Sequence, residues 1–161
     1  MMNRFILFDP EKCTGCRTCA LACSFEHEGE FNPSLARITT LWIQEIGHFA
    51  TVTCQQCEEP LCAAVCPRNA ISTDKKTGAV VVDRDLCIGC RSCLIACPFG
   101  IPVIHCREGF MMKCDLCGGS PQCVEECPQQ ALSVVESDQA AYDKLKKAAT
   151  SLMKFAKEVA Q

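Results

Sequence analysis

Apolar residues fall into short runs separated by turn residues, and the pattern changes only towards the C-terminus. Ala70-Ile71-Ser72-Thr73 and Ala79-Val80-Val81-Val82 flank Lys75 to Gly78, which predicts a β-hairpin. Ile101 to Cys106 and Phe110 to Met112 flank Arg107-Glu108-Gly109 in the same way. Arg37 to Gln44 and Phe49 to Thr53 predict a longer hairpin around Glu45-Ile46-Gly47, preceded by a turn-rich loop at Gly29, Asn32 and Pro33. From Ala140 to Ala160 there is no cysteine, glycine or proline. There Tyr142, Leu145, Ala149, Leu152, Ala156 and Val159 recur at steps of three and four, one stripe of an amphipathic helix expected over 139–161. The longest apolar run, Leu94 to Ile104, is about half of a bilayer span and is broken by Pro98, Gly100 and Pro102, so no direct membrane insertion is expected.

Composition changes this picture through one residue type. Cysteine accounts for 17 of 161 residues, whereas tryptophan and tyrosine occur once each. Three chemistries explain such a density: a disulfide framework, structural zinc, or iron–sulfur clusters. Disulfides belong to secreted chains, but Met1 to Asp9 runs into Cys13 without an apolar h-region or a cleavage site, so a cytoplasmic protein with reduced thiols is expected. A formal charge of −3 with scattered lysines and arginines argues against nucleic acid as a partner. With so few aromatic residues the chain would build a weak core alone, so bound metal is expected to replace much of it.

The cysteines form four groups. Cys13, Cys16, Cys19 and Cys23 read C-x2-C-x2-C-x3-C, and Cys87, Cys90, Cys93 and Cys97 repeat that spacing. Cys54, Cys57, Cys62 and Cys66 widen the middle gap to four residues, and Cys114, Cys117, Cys123 and Cys127 widen it to five. Pro67, Pro98 and Pro128 follow the last cysteine of three groups; Ser24 stands there in the first. A zinc ribbon needs neither a third cysteine at x2 nor a fourth at x3 before proline, so the repeated pattern points to [4Fe–4S] clusters. In the bacterial two-cluster run, the fourth cysteine ligates the other cluster. Four runs therefore imply two pairs of clusters; spacing leaves the pairing open, and proximity favours the second run with the third.

These groups, in this order and with these gaps, resemble the four-cluster iron–sulfur subunits of the dimethyl-sulfoxide-reductase type over residues 4 to 135. That resemblance implies a catalytic oxidoreductase subunit as partner, a molybdenum or tungsten enzyme or one of the formate dehydrogenase or hydrogenase type, in anaerobic metabolism. The stretch from Cys23 to Ile38 is similar to the link in short, soluble members. The sub-type it suggests is the small subunit of a tungsten aldehyde oxidoreductase. The resemblance also implies four clusters: one on Cys13, Cys16, Cys19 and Cys127, and its mate on Cys114, Cys117, Cys123 and Cys23. A third takes Cys54, Cys57, Cys62 and Cys97, and a fourth takes Cys87, Cys90, Cys93 and Cys66.

The expected architecture is α+β: a double ferredoxin-like domain over 1–138 and the C-terminal helix over 139–161. The inner pair spans about 54–104, and the outer pair joins 1–23 to 106–135. Cys106, left over, is expected to be a buried small hydrophobe on the strand from Ile101. Arg17, Arg91 and Lys113, beside the groups, either offset cluster charge or are solvated. His27, His48 and His105 show no ligand spacing, and Glu26, Glu28 and Glu30 read as a solvated acidic loop before a docking patch. No phosphate loop, activated nucleophile or nicotinamide fingerprint is present, so no catalytic residue is assigned. The function expected is an electron-transfer subunit; the alternatives are a diffusible polyferredoxin or a filament in which copies associate head to tail.

Overall fold

The computed structural model describes residues 4–136, with Lys146 and Thr150 beyond them. Apart from Lys146 and Thr150, which are helical, the helix expected over 139–161 lies outside the described residues. The fold is α+β, built from short helices and two-stranded antiparallel sheets. In chain order the elements are β1 (Arg4–Phe8), α1 (Thr18–Glu28), β2 (Thr39–Ile43), β3 (His48–Val52), α2 (Leu61–Ala64), β4 (Ile71–Thr73), β5 (Val80–Val82), α3 (Ser92–Ala96), β6 (Val103–Ile104), β7 (Met111–Met112), α4 (Gln122–Glu125) and β8 (Leu132–Glu136).

The three predicted hairpins form as β2–β3, β4–β5 and β6–β7. The pairing of β1 with β8, from Arg4↔Glu136 to Phe8↔Leu132, joins the two ends of the cysteine-bearing segment. Two pairings obey one rule: the strand entering one cysteine run pairs with the strand leaving another. Thus β1 enters the first run and meets β8 leaving the fourth, while β5 enters the third and meets β4 leaving the second. The equivalence extends to single bonds. Asp9 N donates to Ala131 O at 2.8 Å, and Asp83 N donates to Ala70 O at 2.7 Å. Helix contacts follow the same division, α1 against α4 and α2 against α3.

Helix lengths follow from the residue after the fourth cysteine. Proline disfavours helical backbone in the residue before it. Accordingly α2, α3 and α4 stop within 5 residues, before Pro67, Pro98 and Pro128, whereas Ser24 lets α1 run for 11. Ser24 is fully buried; its hydroxyl donates to Leu21 O at 3.0 Å and accepts from Asn32 N at 3.0 Å. This ties the loop carrying Asn32 to the helix.

The main buried cluster holds Ile6, Ile38, Leu116 and Leu132 together with Cys19, Cys23, Cys54, Cys114 and Cys123. Cysteines thus occupy positions that aliphatic side chains fill in an ordinary core. Two expectations are corrected. Cys106 is exposed, because β6 ends at Ile104 and the chain turns there: Gly109 N donates to His105 O, and His105, not Cys106, is buried. Of the residues read as an acidic loop, Glu26 and Glu28 lie on the last turn of α1; Glu26 is exposed, whereas Glu28 and Glu30 are tethered. Arg107 donates to both Glu30 carboxylate oxygens at 2.7 and 3.1 Å, and His105 Nε2 lies 3.4 Å from Glu28 Oε2.

Candidate metal centres

Each cysteine run begins with a loop whose backbone turns back on its first sulfur. The residue before the second cysteine is left-handed in all four: Gly15, Gln56, Gly89 and Leu116, with φ from 47 to 71°. Gln56 N and Leu116 N each lie 3.5 Å from the sulfur of Cys54 and Cys114, two residues back. At Gly89 the constraint is also steric, since a Cβ there would collide with the Gly109 carbonyl on the β6–β7 turn.

The third cysteine sits on the first turn of a helix, and the runs come in two kinds. In the first and third, Arg17 and Arg91 are exposed, left-handed N-caps, and their carbonyls accept from Ala20 N and Leu94 N. In the second and fourth, Pro60 and Pro121 start the turn and accept from Ala63 N and Val124 N. The fourth cysteine receives a backbone N–H in three runs: Arg37 N to Cys23 at 3.2 Å, Ala70 N to Cys66 and Ala131 N to Cys127 at 3.3 Å.

Cysteines distant in sequence converge. Cys13, Cys16 and Cys19 line one cavity with Cys127, under Thr40 and Thr51 of the β2–β3 hairpin. Cys87, Cys90 and Cys93 line a second with Cys66, and Cys54, Cys57 and Cys62 line a third with Cys97. Cys23 lies close enough to Cys114 and Cys117 for their charges to act on it, and Cys123 feels Cys114, Cys23 and Cys117.

Burial, reinforced by neighbouring thiols, pushes the Cys23 thiol up to about 12 and those of Cys93 and Cys117 up to about 11. Two exposed second cysteines behave oppositely: hydroxyls of Thr18 and Ser92 pull the Cys16 and Cys90 thiols down. His27 Nε2 lies 3.6 Å from the Cys117 sulfur and 3.4 Å from Asp115 Oδ1, a neighbour of a cysteine site that its sequence position did not reveal. Soft thiols in fours, with N–H groups aimed at their sulfurs, suit iron–sulfur clusters and give hard cations no oxygen cage.

The model of the 4Fe-4S dicluster domain family matches residues 46–137, and that of a 4Fe-4S binding domain matches 4–25. The chain belongs to the 4Fe-4S dicluster domain family. It is an iron–sulfur protein of electron transport, similar to subunits of oxidoreductases. The polyferredoxin-like subunit of the aliphatic sulfonate oxidoreductase of Pyrococcus furiosus is 46% identical over 134 residues, 81% of this chain and 77% of that one. A subunit of the anaerobic dimethyl sulfoxide reductase of Escherichia coli is 39% identical over 142 residues, covering 77% of this chain and 69% of its own length. The electron transport protein HydN of Escherichia coli is 40% identical, covering 84% and 89%.

Solved structures share the fold. The active-site complex BamBC of benzoyl coenzyme A reductase with benzoyl-CoA contains a chain that superimposes at a TM-score of 0.52 and 23% identity, covering 100% of this chain and 99% of that one. Among the described residues, no helix of this dicluster protein is long and apolar enough to cross a membrane.

Proposed function

We propose that the chain holds four [4Fe–4S] clusters on sixteen of its 17 cysteines and relays single electrons to or from a catalytic oxidoreductase subunit. The ligand sets are Cys13, Cys16, Cys19 with Cys127; Cys114, Cys117, Cys123 with Cys23; Cys54, Cys57, Cys62 with Cys97; and Cys87, Cys90, Cys93 with Cys66. The observation that carries this reading is the convergence of three fourth cysteines, Cys66, Cys97 and Cys127, on the cavities of other runs, with Cys23 lying close to Cys114 and Cys117. When bound, each cluster supplies a one-electron couple near the surface or between its neighbours. The chain's part is to hold four thiolates, direct N–H groups at their sulfurs and exclude water from the buried members of each set.

A molybdenum or tungsten enzyme is the partner that best suits the similarity to sulfonate oxidoreductase and dimethyl sulfoxide reductase subunits. Inner and outer pairs, each with one run of either kind, form the two units of a continuous path. The test is Cys127→Ala. Although Cys127 is more than a hundred residues from Cys13, the variant is expected to lose the cluster of the first run, with its EPR signal and about four irons per chain. Selective loss of the cluster held by Cys114, Cys117 and Cys123 would overturn the pairing.

A further inference from the structure

Lys113 is 3% exposed, an unusual place for a lysine, and its partners are two backbone carbonyls. Its Nζ donates to Val80 O and, at 3.1 Å, to Cys114 O. Gln56, 1% exposed, closes the arrangement into a ring: its Nε2 donates to Cys114 O at 2.9 Å, and its Oε1 accepts from Val80 N at 2.8 Å. The ring joins the β4–β5 hairpin, the second cysteine run and the start of the fourth.

Among the described residues, no carboxylate pairs with Lys113. Burying a lone ammonium is costly unless an opposite charge answers it. Two carbonyl oxygens supply dipoles but no net charge. What Lys113 does face is thiolate chemistry: it lines the cavity of Cys54, Cys57, Cys62 and Cys97, and it is bonded in sequence to Cys114 of another set. Burial pushes the Cys62 and Cys57 thiols up, and Lys113 acts on both in the opposite direction. The Cys54 charge in turn reaches Cys114, so the two sets adjoin at this lysine.

We propose that Lys113 is the buried counter-charge at the junction of the inner and outer halves, and that it raises the reduction potential of the cluster on Cys54, Cys57, Cys62 and Cys97. One-electron reduction would add a negative charge to a site that already carries about −2 in its oxidised state. A fixed positive charge in the wall favours that addition. Because the lysine stands where the chain passes from one pair of sites to the other, it sets the energy of the step between halves.

This inference rests on the four-cluster reading, and the two fail differently. A low iron content of the native chain defeats that reading, whereas unchanged potentials in fully loaded variants defeat only this one. The experiment compares Lys113→Gln, Lys113→Met and Lys113→Arg by iron content and by EPR-monitored redox titration. Gln keeps a donor without the charge, Met keeps neither, and Arg keeps the charge. Gln and Met are each expected to lower one potential by at least tenfold in its equilibrium constant, about 59 mV for a one-electron couple, while Arg stays within that limit. Unchanged potentials in a loaded Gln or Met variant overturn the proposal. If both neutral variants fail to hold iron while Arg loads fully, the requirement for charge stands at assembly. If Arg fails as well, the site needs the shape of lysine and the proposal is wrong.

Discussion

At the scale of single residues, burial makes several thiols resist ionisation, while hydroxyl neighbours ease it at Cys16 and Cys90. Cys23, Cys93 and Cys117, with thiols pushed up to about 11 or 12, are protonated at neutral pH in the cluster-free chain. A cluster takes thiolates, so assembly releases these protons. The sign follows: raising pH increases the ligating form. Below the thiol pKa, the thiolate fraction of each grows about tenfold per pH unit. Anaerobic reconstitution from iron and sulfide is therefore expected to accelerate severalfold between about pH 7 and 8.5. A rate that does not change over that range would contradict it.

Single residues also mark where sequence reading stops. Arg17, Arg91 and Lys113 are alike in sequence as basic residues beside cysteines, yet two are exposed caps and one is buried. The burial of Lys113 depends on Val80 and Gln56, 33 and 57 positions away in the chain, and no local pattern reports such contacts. The exposure of Cys106 has a related cause. An apolar run sets a strand's direction but not the residue at which a turn begins, and here His105 takes the buried place through its stack on Phe110, 4.8 Å between ring centroids.

At the scale of elements, the spacing of the cysteines and the turn residues between them carried most of the architecture. Hairpins are local, so their signals lie within a dozen residues. The β1–β8 pair was not legible, because each strand is 5 residues long and its partner lies at the other end of the described chain. Ser24 was visible only as a departure from proline, but its consequence is the length of α1. Ser24→Ala removes one of the two acceptors of Asn32 N, which keeps Glu30 O at 3.1 Å, and the bond to Leu21 O, at a cost of about 0.5–1.5 kcal/mol. Urea unfolding of the holoprotein is expected to show that loss; a change below about 0.5 kcal/mol would mean that the loop does not depend on the hydroxyl.

The pairing of β1 with β8 ends at Glu136, so the cysteine-bearing unit closes before the expected C-terminal helix begins. Deleting 139–161 is accordingly expected to leave iron content unchanged and to weaken association with a partner subunit or another copy. Size-exclusion chromatography with iron analysis decides between this and a helix that belongs to the core. In the latter case, the shortened chain loses iron or precipitates.

For the whole molecule, the proposed clusters would dominate the charge. The formal charge of −3 counts thiols as neutral, and four oxidised clusters would take it to about −11. Cysteine sulfurs share the main buried cluster with Ile6, Ile38, Leu116 and Leu132, so folding and loading are expected to be coupled. The repeated bonds Asp9–Ala131 and Asp83–Ala70 relate two pairs of runs, and the four-cluster proposal gives each pair two clusters. Iron and acid-labile sulfide per chain test this most directly. Anaerobically purified protein with four crossed cubanes holds about sixteen of each and little zinc. About eight of each after full reconstitution would leave half of the cysteine sets without clusters and would contradict the four-cluster relay.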